Sequence, residues 1–394
     1  MSDTADLSRS FSVEARLQAM LDVEAALAEA EAALGVIPAT AAMPIRAAAR
    51  ASLYDSAAIA IEARHAGNLA IPLVHHLTAR VAEGDAEAAK YVHWGATSQD
   101  IIDTALVLQL RGAVPSIVRD LQRAAEAAAG HARRHVDTLM PGRTWLQQAT
   151  PTTFGLKAAG WLDALVRVQH TLESALAQAL VVQFGGASGT LAALGTRGLA
   201  VAEALGARLK LSVPVLPWHA HRDRLAGLAC ALGVATGTFG KIARDLALLA
   251  QTEVGEAHER AEDAGGSSTM PHKRNPVRAA VALAAAVRAP GLVATILSAM
   301  PQEHERGLGG WQAEWDAIPE LVGVTADAGR AVAEALEGLV VDAPRMRANL
   351  DITRGLVLAE AVVMQLAGQL GRKDAHARVE AASRRVVAEG RSLA

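Results

Sequence analysis

Apolar residues recur along most of the chain at intervals alternating between three and four, the pattern of a helix with one buried stripe. Leu225, Leu228, Leu232, Ala235, Phe239, Ile242, Leu246 and Leu249 keep this alternation, with no proline between Pro217 and Pro271. They predict one long helix, at 1.5 Å of rise per residue. Val107, Leu110, Val114, Ile117, Leu121, Ala124 and Ala128 repeat the pattern from about residue 104, with Pro115 as an expected kink. Trp161, Leu165, Val168, Leu172 and Ala175 mark a third helix over about 153–180, and two more fit about 276–299 and 313–340. Such seams pack helices at shallow angles. With no strand-like alternation of any length between them, the five predict an elongated bundle in an all-α protein. Residues 13–34, stopped by Gly35 and Pro38, open a small helical unit ahead of the bundle, and a short helical tail follows Pro344. The expected division is 1–103, 104–343 and 344–394.

Three polar islands interrupt this apolar pattern, each at a helix junction. The first is His93-Trp94-Gly95-Ala96-Thr97-Ser98-Gln99-Asp100, with Thr97 and Asp100 at capping-box spacing. The second runs from Gly142 to Thr153 and sets Arg143 among hydroxyls and amides. The third, Ala264 to Pro276, gathers two glycines, three hydroxyls, an imidazole, two cations and an amide. Asn275-Pro276 reads as an N-cap followed by proline at the first helical position. A helix N-terminus beside Lys273 and Arg274 is an anion site in waiting. If antiparallel helices or neighbouring subunits bring the islands together, their lining suits a small polycarboxylate. Local spacing also allows plain N-caps at Thr97 and Ser98, a surface cation at Arg143 and a capped turn in the third island.

Composition narrows the field. The chain of 394 residues is 51% hydrophobic but only 3% aromatic, so its core is built of small aliphatic side chains suited to closely packed helices. The 38 basic residues nearly balance 41 acidic ones, with no basic run interleaved with aromatics, which argues against nucleic acid. The single cysteine, Cys230, reads as a buried structural thiol in a reducing compartment. The start, Met1 to Asp6, lacks a basic end and an apolar core, so no signal peptide is expected. The apolar tract from Ala279 to Met300 is broken by Arg288, Pro290 and Gly291, so no membrane span is expected and the location should be cytoplasmic. His75 and His76 stand without a carboxylate or cysteine cluster of ligand spacing, and no phosphate-binding glycine motif occurs.

The string from Gly266 to Pro276, Gly-Ser-Ser-Thr-Met-Pro-His-Lys-Arg-Asn-Pro, resembles the signature loop GSSxMPxKxNP of the fumarase/aspartase superfamily. The other islands fall where that family has its other shared regions, so the resemblance covers most of the chain. It implies a three-domain, all-α fold with a central five-helix bundle and a homotetramer with active sites shared between subunits. It also implies proton transfer beside a carboxylate without metal or organic cofactor. Carried over residue by residue, Ser267 is the proton-handling group, and Lys273 and Asn275 hold the substrate carboxylate and the charge it gains. Thr97, Ser98, Thr144 and Gln147 match substrate-binding positions, and His93 matches a histidine of one branch. Arg143, Trp145, Ser268, Met270 and His272 complete the expected lining.

One departure is informative. Amine-releasing members of the family read Gly-x-Thr-His-x-Gln in the second region, where the histidine helps to protonate the departing group. This chain reads Gly142-Arg143-Thr144-Trp145-Leu146-Gln147. A departing amine needs a proton and a departing carboxylate does not. The expected reaction is therefore one in which an internal carboxylate adds to, or leaves, a double bond. Trp145 to Pro151, His93 to Asp100, Gln183 to Ala187 and Pro217 to His219 are likewise similar to strings of the lactonising branch. The alternatives are an adenylosuccinate- or argininosuccinate-type lyase and a non-catalytic helical scaffold of the same fold.

Overall fold

The computed structural model describes residues 9–260, 265–266, 270 and 273–393. The thirteen helices used here are α1 (Val13–Ala33), α2 (Ala42–Ala48), α3 (Ser56–Ala66), α4 (Ala70–Gly84), α5 (Ser98–Arg134), α6 (Phe154–Ala179), α7 (Gly198–Leu209), α8 (Asp223–Leu249), α9 (Val277–Ala299), α10 (Gly310–Glu337), α11 (Ala343–Asp351), α12 (Ala359–Leu370) and α13 (Arg372–Glu389). The five long helices, α5, α6, α8, α9 and α10, are those the apolar spacing predicts. All seven stripe residues of α5 from Val107 to Ala128 and all eight of α8 from Leu225 to Leu249 are buried. Helix α5 continues across Pro115 as one element. Cys230, expected to be buried, is only half-buried. It stands two residues past Leu228, and that offset turns it off the Leu225–Leu249 stripe.

The all-α expectation holds, and the described residues add only short two-stranded ribbons that the apolar spacing does not signal. Residues Leu139–Thr144 (β1) and Gln147–Thr153 (β2) form an antiparallel hairpin, with a register irregularity between Pro141 and Arg143. Ala257–Glu259 (β3) pairs with Leu339–Val341 (β6), and Gly265–Gly266 (β4) pairs with Arg274–Asn275 (β5). β1, β2 and β6 carry no half-buried period of two, because these are two-stranded ribbons in connections and not sheets covering a core.

The chain divides into two compact units. One comprises Met1–Val118, His170–Ala235 and Val287–Asp327; the other comprises Arg119–Gln169, Thr236–Ala286 and Ala328–Ala394. In the first unit α1, capped by Ser12 accepting from the Ala15 N–H at 3.2 Å, is buried along most of its length. Among its buried residues are two carboxyls, Glu24 and Glu31. Helix α9, expected over about 276–299, runs unbroken through Arg288, Pro290 and Gly291, so those residues do not interrupt its apolar tract as a possible span. By length and composition α5, α8 and α9 could each cross a membrane. Within the chain, however, 61% of the most apolar window of α5 and of α8 is buried, against 22% for α9. Helix α9 thus leaves apolar surface uncovered by its own chain.

Candidate active site

The first island is held by the first unit. Asp100 Oδ2 accepts from the Thr97 backbone N–H at 3.0 Å, one half of the expected capping box. The Thr97 hydroxyl does not supply the other half. It accepts from Arg306 Nη1 at 2.8 Å, while Arg306 Nε donates to Gln99 at 3.3 Å. Asp100 is fully buried and also accepts from the N–H groups of Gly185 and Gly186, each at 2.9 Å, and pairs with His219 Nε2 at 2.7 Å. The strings Gln183–Ala187 and Pro217–His219 therefore fix the first turn of α5. A Cβ at Gly185 would lie 2.7 Å from Pro217 Cβ, which excludes larger residues.

His93 adopts φ 59°, in the left-handed region, and its Nδ1 lies 2.6 Å from Glu24 Oε1. Burial opposes the imidazolium, but the charge and hydrogen bond of Glu24, with Asp100 behind it, outweigh burial and raise the pKa above its ordinary value. An imidazolium held through Nδ1 keeps Nε2–H as a second donor for an anion.

The second unit carries the other two islands. Thr144 pairs with Gln147 across a two-residue turn, Trp145-Leu146, with φ of 53° and 64°. Two left-handed residues are the mark of a type I′ turn, which normally takes Asn-Gly. Here a tryptophan 97% exposed and a leucine 80% exposed hold the strained positions. Large apolar side chains at a strained, open tip are unfavourable for stability and point to a function. Below the tip, Arg143 forms a bidentate pair with the fully buried Glu256, at 2.6 and 2.8 Å, and Asn349 Nδ2 donates to the same carboxylate at 2.7 Å. Arg143 thus anchors the hairpin with both terminal nitrogens.

In the third island, Gly265 pairs with Asn275 and Gly266 with Arg274, so a two-rung ladder joins these two short stretches. Lys273 and Met270 are exposed and Asn275 is half-buried; Ser267, Ser268 and His272 lie outside the described residues. Helix α9 begins at Val277, one residue later than the Asn275 cap predicts, and the Pro276 carbonyl accepts from the Ala280 N–H at 3.0 Å. Its N-terminus is not an open anion site. The buried Glu259 accepts from the N–H groups of Ala279 at 3.0 Å and Arg278 at 3.3 Å, satisfying the helix end from within.

His93, Thr97 and Ser98 thus belong to the first unit, and Arg143, Thr144, Trp145, Gln147, Met270, Lys273 and Asn275 to the second. Pattern reading passed over Glu24, Glu256, Glu259, Arg306 and Asn349. Two left a signal: Glu24 is a carboxylate within an apolar helix, and Arg306 ends the polar run Gln302-Glu303-His304-Glu305-Arg306, a fourth island between α9 and α10.

Residues 1–291 match the lyase family. A 3-carboxy-cis,cis-muconate cycloisomerase of Pseudomonas aeruginosa is 58% identical over 384 residues, which cover 97% of this chain and 84% of that protein. One from Bradyrhizobium diazoefficiens is 57% identical, with 96% and 84% covered. The crystal structure of the 3-carboxy-cis,cis-muconate lactonizing enzyme from Pseudomonas putida superposes with a TM-score of 0.93 at 51% identity, covering 99% of this chain and 87% of that one. The chain belongs to the lyase family, is an enzyme of the fumarase/aspartase superfamily, and over nearly its whole length resembles the bacterial 3-carboxy-cis,cis-muconate cycloisomerases.

Proposed function

We propose that the enzyme lactonises 3-carboxy-cis,cis-muconate to 4-carboxymuconolactone. The observation that carries this reading is the hairpin tip, where Trp145, a side chain without an ionisable proton, stands at the position of the amine-releasing members' histidine. The high identity to proteins named for this reaction supports it. In the reaction one substrate carboxylate oxygen forms a bond to an alkene carbon. The π electrons move to the adjacent carbon and into its carboxylate as an aci-carboxylate. Lys273 and Asn275 stabilise that charge, and the Ser267 hydroxyl delivers a proton to the carbon and is restored from solvent. His93 as imidazolium, Thr97, Ser98 and Arg306 bind a further carboxylate, with Thr144, Gln147, Ser268, Met270 and His272 completing the lining. Arg143 holds the hairpin in place through Glu256.

A homotetramer with shared sites accommodates two otherwise unexplained features: the uncovered apolar side of α9, and a hairpin tip whose Thr144, Trp145, Leu146 and Gln147 are all exposed within one chain. The three-domain division at 103/104 and 343/344 and a cytoplasmic location complete the proposal.

Purified protein mixed with 3-carboxy-cis,cis-muconate should abolish the conjugated-diene absorbance. No loss would reject the reading, and release of fumarate from adenylosuccinate or argininosuccinate would put a lyase in its place. Ser267→Ala should lower turnover by at least about a hundredfold with the fold retained; near-normal turnover would remove Ser267 from the chemistry. The pair Trp145→Asn with Leu146→Gly supplies the residues that a type I′ turn prefers. We expect it to raise the thermal midpoint through relief of about 1 kcal/mol or more of strain, while cutting kcat/KM at least tenfold. Full activity in that variant would show that the tip takes no part.

A further inference from the structure

In the first unit, helices α1, α3, α5 and α10 surround a cavity of about 370 Å³ that includes none of the proposed substrate residues. Its walls are mainly hydrocarbon, with Met20 from α1, Ile102 and Leu106 from α5, and the Trp315 ring and Pro319 from α10. Set among them is Arg16. One of its terminal nitrogens donates to the Trp315 carbonyl at 3.2 Å, and no carboxylate of the described residues lies in ion-pair distance. Burial lowers the Arg16 pKa, and the attraction of Asp316 offsets this only in part. A second donor is unmet: Trp315 Nε1 is buried and has no acceptor. Arg64, which is exposed, and the buried Gln109 also line the space, but the Gln109 amide already donates to the Ser10 carbonyl at 2.6 Å.

A guanidinium with no carboxylate of the described residues in ion-pair distance, set against hydrocarbon, favours an anion, because Coulomb attraction strengthens where apolar walls reduce access of water. A monoanion matches Arg16, the less exposed of the two arginines lining the space, whereas a polycarboxylate would bury surplus charge against hydrocarbon. The volume falls at the lower end of small-ligand pockets, roughly 300–1,000 Å³. We propose that this cavity is a second ligand site, which binds a small monocarboxylate with a hydrocarbon body, its carboxylate on Arg16 and its body against Met20, Ile102, Leu106 and Pro319. The site is independent of the proposed lactonisation.

Titration calorimetry of the intact protein with octanoate, and with benzoate as an aromatic probe, tests it. At least one of the two acids should bind saturably, with one site per chain, and should bind at least tenfold more tightly than the alcohol of the same skeleton. Arg16→Gln should weaken acid binding at least tenfold. Ala63→Phe, which fills the cavity from α3 without touching the buried charge, should abolish it even if the Arg16 variant folds poorly. Saturating 3-carboxy-cis,cis-muconate should leave the isotherm in place. Absence of saturable binding by both acids at millimolar concentration, an isotherm unchanged in Ala63→Phe, or displacement by the tricarboxylate would overturn the proposal. The last result would assign the bound acid to the substrate site.

Discussion

Replacing Glu31 by leucine is expected to flatten the dependence of stability on pH and to stabilise the protein at alkaline pH by up to about 5 kcal/mol. Glu31 lies on α1 with no exposed surface, and neither carboxyl oxygen has a hydrogen-bond partner. Burial pushes its pKa from 4.5 to about 8, and the nearby Glu24 adds in the same direction. In the unfolded chain this carboxyl gives up its proton near pH 4.5, whereas the folded protein retains it until about pH 8. Between those values the folded state binds more protons, so stability falls as pH rises, and above about pH 8 the loss is complete. Leucine has nearly the same size and no charge to desolvate. The difference in urea-unfolding free energy between the variant and the wild type should therefore grow across that window and then level off. Parallel curves would mean that Glu31 ionises normally inside the protein. The same helix carries Glu24, whose charge and hydrogen bond, together with the charge of Asp100, favour the cationic form of His93.

The long helices were legible because each buries one continuous stripe of its own residues, and a stripe is a property of neighbouring sequence. Val107 to Ala128 and Leu225 to Leu249 show this at every predicted position. The hairpin was not legible for the opposite reason. Its strands contain Pro141, Gly142 and Pro151, neither buries an alternating face, and its turn is Trp145-Leu146 in place of Asn-Gly. The strain that makes the tip interesting is what removed the usual turn signal. The resemblance of the third island rests on its string of residues alone and could not reveal that Glu259 already caps the following helix. Such pairings join residues far apart in sequence: Glu24 with His93, Arg143 with Glu256, and Thr97 with Arg306. A spacing rule reads only along the chain, so contacts across the fold leave at most an out-of-place charge, such as Glu24, as their trace.

Arg222→Ala should cost about 3–5 kcal/mol, the cost of leaving buried charge unpaired, out of a total stability that is typically about 5–15 kcal/mol. Arg222 is fully buried and bridges two buried carboxylates. Its terminal nitrogens reach Asp103 at 2.7 and 3.1 Å, and Glu314 at 2.6 Å, with Nε 3.0 Å from the same carboxylate. Desolvation works against the guanidinium, but Asp103 and Glu314 overcome it and hold the charge. Trp311 Nε1 donates to Asp103 at 3.0 Å, and the Arg222 guanidinium lies 4.8 Å from the Trp218 ring centroid. Removing Arg222 leaves two carboxylates facing each other without water. They must then protonate or draw water into the core, so the loss should ease as pH is lowered. Adding Asp103→Asn and Glu314→Gln to Arg222→Met removes the charges together and should restore most of the stability, since a buried triad contributes little beyond neutral packing. Activity should recover less completely. Asp103 lies one turn beyond Gln99 on α5, and Glu314 lies on α10, just after the segment that brings Arg306 to Thr97. The triad therefore sets the geometry of a proposed carboxylate-binding group, and the neutral triple variant should show a raised KM with a smaller change in kcat. If wild-type KM returned together with stability, the triad would be serving the fold alone.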